Sequence, residues 1–262
     1  MAENILVERA NGVATVTFNR PDQRNAFRHD GWLELRRITD ELDNDFEVKV
    51  VVLTGAGDKA FSAGADIKDF ELYRNDSDSA RTYADAFDGA MDAVEALSKP
   101  TISMIKGFCV GGGCELSMAT DIRIAADNGR FGIPVARLGI LVGYKEMRRL
   151  VNLVGPGNAS YILLSARLID APEALRIGLV NRVVPLDEVR EYTYKLAEEM
   201  VPLAPLSQRR HKQILQTVLR NPTFGALTAQ EEKRPFTNFD SEDFGEGRSA
   251  FLERRTPNFK GR

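Results

Sequence analysis

A succession of strand, glycine-bearing loop and helix occurs twice in this sequence, and it restricts the fold more than any other feature. Val48–Leu53 is rich in β-branched residues, the pattern of a buried strand. It is followed by Thr54-Gly55-Ala56-Gly57-Asp58 and by Phe61-Ser62-Ala63-Gly64-Ala65-Asp66-Ile67. Thr101–Lys106 reads as another strand. It leads into Gly107-Phe108-Cys109-Val110-Gly111-Gly112-Gly113 and then Cys114-Glu115-Leu116. Alternation of this kind predicts an α/β fold of recurring ββα or βαβ units.

The flanking segments fit that frame. Val13–Phe18 alternates Ala14, Val16 and Phe18 against Thr15 and Thr17, and the turn Ala10-Asn11-Gly12 joins it to a first strand. Trp32, Leu35, Ile38 and Leu42 form a helical stripe. Asp78–Leu97 predicts a helix stopped by Lys99-Pro100. Leu186–Met200 predicts an amphipathic helix with Val189, Tyr192, Leu196 and Met200 in register. Helical patterns continue from there almost to the end. The expected organisation is a core over residues 1–195 and a helical, oligomer-forming region over residues 196–262.

Composition narrows the function. Of 262 residues, 43% are hydrophobic and 28% charged, which suits a globular chain. No apolar stretch is long enough to span a membrane, and no secretory leader is expected. The net charge of −3 disfavours nucleic-acid binding through a basic field. Two cysteines and two histidines oppose a disulfide framework and a multi-histidine metal site, so no metal is expected, and a reducing cytoplasm is the expected compartment. Carboxylates, tyrosines and backbone groups are left to carry any chemistry.

The segment Gly111–Glu115 carries the most. Glycines allow positive φ and close backbone approach. A helix beginning there offers free N–H groups to an anion or a developing oxyanion. The loop around Ala63 and Gly64 can offer a second donor. The same residues also fit a tight strand-to-helix connection with no further role. Glu115, in the first helical turn, either complements the helix dipole or stands as a carboxylate beside the oxyanion site.

Ile105-Lys106-Gly107-Phe108-Cys109-Val110-Gly111-Gly112-Gly113-Cys114-Glu115-Leu116 and Phe61-Ser62-Ala63-Gly64-Ala65-Asp66-Ile67-Lys68 resemble the signatures of the enoyl-CoA hydratase/isomerase (crotonase) family. Asn19-Arg20-Pro21 with Asn25-Ala26, Ala171–Asn181 and the tail around Ala250–Glu253 and Phe259 are similar too, in the same order along the chain. The resemblance implies a spiral of ββα units with a helical C-terminal region, assembled as a trimer or a dimer of trimers. It implies an acyl-CoA thioester as substrate, a place in fatty acid metabolism, and no cofactor beyond the coenzyme A that the substrate carries. The backbone N–H groups of Ala63 and Gly112 match the family's oxyanion donors, and Glu115 matches its acid/base glutamate. Ala26, Gly64, Ala65, Asp66, Ile67 and Gly111 are expected along the coenzyme A passage. Lys260 is expected to reach a coenzyme A phosphate across a subunit boundary.

The sequence departs from the family at one informative place. The second family glutamate falls on Val135, which can neither transfer a proton nor hold a water. Tyr144 either replaces it as a proton donor or only shapes the acyl pocket. Glu146 is either a replacement or a residue on a solvated helix face. Hydratase-like lyase chemistry is the leading expectation. Decarboxylation of a malonyl-type ester or isomerisation is the alternative, and a non-catalytic relative that binds CoA esters or RNA is a further one.

Overall fold

A computed structural model describes residues 4–221 and 223–262. The chain opens with the antiparallel pair β1 (Ile5–Ala10) and β2 (Val13–Phe18), followed by α1 (His29–Asn44). β3 (Val50–Gly55), β4 (Ala60–Ser62), α2 (Phe70–Tyr73) and α3 (Ser77–Ala96) make a first ββα turn. β5 (Thr101–Ile105), β6 (Phe108–Val110) and α4 (Gly112–Met118) make a second. β7 (Ile122–Ala126), β8 (Arg130–Gly132) and α5 (Tyr144–Ser165) make a third. β9 (Ile169–Asp170), α6 (Ala171–Arg176) and β10 (Arg182–Val184) close the spiral. Then come α7 (Val189–Met200), α8 (Pro205–Arg220), α9 (Ala229–Lys233) and α10 (Glu242–Glu253).

Each turn places its first strand in one sheet and its second in another. The large sheet has the order β1-β2-β3-β5-β7-β10 and the small one β4-β6-β8-β9. Pairing beyond β2 is parallel in the large sheet, and only β8 and β9 run antiparallel in the small one.

β3 is buried along its whole length because both faces of the large sheet are covered. Val51 and Leu53 join the main core with Ala14, Val16, Phe18 and the α1 stripe of Trp32, Leu35, Ile38 and Leu42. Val50 and Val52 face the other way, with Ile102, Met104 and Ile124, under α7. α7 is turned slightly from the expected register. Its buried residues are Val189, Thr193 and Ala197, whereas Tyr192 is exposed. The expected boundary at residue 195 falls inside α7, whose Val189 and Ala197 both join the core on the large sheet. α8 folds back on its own chain through an ion pair of Lys212 with Asp121 (2.7 Å) and a hydrogen bond from Lys212 to the Lys99 carbonyl (2.9 Å). No helix among the described residues is long and apolar enough to cross a membrane.

Candidate active site

β4 and β6 pair in parallel, so the loops that leave their C-terminal ends lie side by side. Gly64 and Gly112 are the point of contact. Gly64 has φ +86°, and a Cβ there would sit 2.6 Å from the Gly112 nitrogen and 2.9 Å from the Val110 carbonyl oxygen. Only glycine satisfies both the conformation and the spacing. Gly111 (φ 53°) turns the chain into α4 while its N–H donates to the Gly132 carbonyl at 2.9 Å.

The hydrogen bonds of these loops decide which N–H groups remain free. The Ala63 N–H donates to the Arg24 carbonyl at 2.9 Å. It is occupied and does not serve as the expected oxyanion donor. Phe27 donates to the Gly64 carbonyl and accepts from the Asp66 N–H, both at 2.7 Å, forming a parallel bridge opposite Ala65. In such a bridge the N–H of the opposed residue points away from its partner. The Ala65 N–H has no partner among the described residues. Gly112 opens α4, and its N–H has no acceptor within the helix. The available donors are thus Gly112, as in the expected pair, and Ala65 in place of Ala63.

The remaining expected residues of the passage gather here. Ala26 is buried, and its carbonyl accepts from Arg20 at 2.6 Å. Asp66 is held by Arg20 at 2.9 Å and accepts from the Lys68 N–H at 3.2 Å. Burial works against the Asp66 charge, but the Arg20 and Lys68 hydrogen bonds hold its carboxyl below the usual range. Its visible task is to fix the loop. Ile67 stands exposed beside it. Beneath the loops Phe27 stacks on Trp32, with ring centroids 4.1 Å apart, and the Trp32 indole N–H donates to the Tyr83 hydroxyl at 2.7 Å.

Glu115 is only 6% exposed and makes no hydrogen bond through its side chain among the described residues. Burial, then the negative charge of Glu146, push its pKa up to about 8. Arg74 opposes the shift and Asp88 adds to it. At neutral pH this carboxyl keeps its proton, as a general acid must.

Two expectations change, those for Tyr144 and Glu146. Tyr144 is 97% exposed at the start of α5 and does not enter the site of its own chain. Lys260 lies with Lys99 and Pro100 around a cleft at the N-terminal ends of the strands, opposite the glycine loops, so any contact with them needs a second copy. Glu146, far from a solvated face, is 2% exposed. Its carboxylate accepts from Arg149 at 3.0 Å, and Arg149 also bridges to Asp92 (2.8 Å) and Glu95 (2.7 Å) on α3. Burial raises the Glu146 carboxyl despite Arg149. Val135 is half-buried against the core.

A family model described as enoyl-CoA hydratase/isomerase matches residues 8–262. The short-chain-enoyl-CoA hydratase of Clostridium acetobutylicum is 39% identical over 96% of this chain and 95% of its own length. The crotonyl-CoA hydratase of Syntrophomonas wolfei is 37% identical over 98% of each chain. A crystal structure of an enoyl-CoA hydratase/carnithine racemase from Magnetospirillum magneticum superposes with a TM-score of 0.95 at 36% identity, covering 100% of this chain and 97% of that one.

Proposed function

The chain belongs to the enoyl-CoA hydratase/isomerase family, and on that premise we propose that it adds water across the double bond of a short 2-enoyl-CoA thioester. It is an acyl-CoA-processing lyase of the hydratase type with a crotonase fold. The observation that carries the proposal is the pair of unengaged N–H groups, Ala65 and Gly112, beside a buried carboxyl that holds its proton.

The thioester oxygen accepts from both N–H groups. Water oxygen bonds to the β-carbon, and the double-bond electrons move onto the thioester as an enolate. One Glu115 oxygen gives its proton to the α-carbon while the other takes the proton that water loses. The carboxyl is restored and the atoms balance. The donors act on charge that develops during reaction, and losing one typically costs ~3–4 kcal/mol of barrier stabilisation. Decarboxylation draws less support, because Asp88 and Glu146 surround Glu115 with negative charge that repels a substrate carboxylate.

Coenzyme A enters as part of the substrate, and no further cofactor is required by these steps. The exposed Phe236, after α9, and Phe251 and Leu252 of α10 support assembly as a trimer or dimer of trimers, with Lys260 offered to a neighbour. The unpaired, buried Cys109 and Cys114 suit a reducing cytoplasm.

Incubation with crotonyl-CoA and with a malonyl-type CoA ester in ¹⁸O-labelled water, read by mass spectrometry, tests the reading. Gain of labelled water by the enoyl ester is expected. Release of carbon dioxide without hydration would refute it.

A further inference from the structure

Two buried carboxylates stand on adjacent helices. Glu115 lies in the first turn of α4 and Glu146 in the first turn of α5, and these helices pack against each other. Glu115 has no hydrogen-bonding cation. Glu146 has one, and it is well anchored: the Arg149 side chain is 3% exposed and tied to Asp92 and Glu95 across the helix interface. The Glu146 carboxylate also turns back over Gly143, where a Cβ would come within 2.5 Å of its Oε2. Glycine at 143 thus leaves the space that this carboxylate fills.

The geometry points to Glu146 as a positioning residue of the active site: a second buried carboxylate, fixed by Arg149, whose charge keeps the proton on Glu115. Two like charges confined together in a dry site do not both ionise. The hydrogen-bonded cation decides which one does. Arg149 stabilises the anion at Glu146, so Glu115 becomes the acid. The inference rests on the reading of Glu115 as the proton carrier and deepens it. It also places a carboxylate at the site from α5, where the family's usual position holds Val135.

The charged and titratable groups around the pair are few. α3 contributes Asp88 and Asp92, and Arg74 faces Glu115 from the end of α2. Arg149 faces both from α5, and the buried thiols of Cys109 and Cys114 lie beside Glu115 on β6 and α4. Glu146 is the largest charged influence on Glu115 among them.

A glutamate at the third position of a helix can also serve merely as a cap, and glutamine caps equally well there. Glu146→Gln therefore separates the two roles, because it keeps the cap and the Arg149 contact while removing the charge. The pH dependence of crotonyl-CoA hydration is measured for the wild type, Glu146→Gln and Glu146→Asp. The alkaline limb of kcat is expected to fall by about one pH unit or more in Glu146→Gln, and Glu146→Asp is expected to restore most of it. In parallel, the infrared carbonyl band of protonated Glu115, identified by its loss in Glu115→Gln, is titrated without substrate. Its midpoint is expected to drop in Glu146→Gln. An unmoved limb and an unmoved midpoint would overturn the inference. If the wild type hydrates no enoyl ester, the proposed reaction fails, while the substrate-free titration still decides the role of Glu146.

Discussion

Glu115→Gln should make the folded protein more stable as well as inactive, and the gain should depend on pH. The Glu115 pKa rises from an ordinary value of 4.5 to about 8 on folding. Between those limits the folded state keeps a proton that the unfolded state has released. Stability then falls as pH rises, by about 1.4 kcal/mol per pH unit for this one group. Below the unfolded value both states are protonated and the group contributes nothing. Above about pH 8 the loss levels off, since both states are then ionised. Glutamine has nearly the same shape and does not titrate. At pH 7 the variant should therefore gain roughly 3 kcal/mol over the wild type, relative to their difference at about pH 4. Urea unfolding of both proteins across that range measures the difference directly. A stability gap that stays constant with pH would show that Glu115 is not a buried, proton-holding carboxyl. The assignment of Glu115 as the acid would fall with it.

Two further substitutions test the surroundings. Gly64→Ala forces a Cβ to within 2.6 Å of the Gly112 nitrogen at φ +86°, so kcat for crotonyl-CoA should fall by roughly 10²–10³; full turnover would remove these loops from the oxyanion site. Tyr83→Phe leaves the buried Trp32 indole N–H without its 2.7 Å acceptor, and chemical denaturation should show a loss of about 1–3 kcal/mol; an unchanged midpoint would mean that the indole finds another partner.

Much of this architecture is legible in the sequence wherever one segment alone carries the signal. The valine run of β3, the alternation of β2 and the α1 stripe each state their own burial. The glycines at 64, 111 and 112 mark a close approach before any partner is known. Other features depend on residues distant in the chain. Whether the Ala63 or the Ala65 N–H stays free is set by Arg24 and Phe27, some 40 residues earlier, which engage one and bridge past the other. The strands β6 and β8 have three residues each, too few to display a period. α5 hides behind Gly155 (φ 73°) and Pro156, which interrupt its helical pattern. Glu146 follows from α5: sequence alone leaves it open to a solvated helix face, and the packing of α5 turns it inward to Arg149.

Val135 and Glu146 make sense together. Valine at 135 packs half-buried against the core and puts an apolar side chain where the resemblance would place a second glutamate. An apolar wall strengthens every charge interaction beside it and penalises a second ionised carboxylate. Of the two buried glutamates, only Glu146 is hydrogen-bonded to a cation, the Arg149 side chain that also holds Asp92 and Glu95. Burial first, and then the charge of Glu146, keep Glu115 protonated near neutral pH. The proposed reaction requires that state, since one carboxyl must deliver a proton to carbon and recover one from water in the same step.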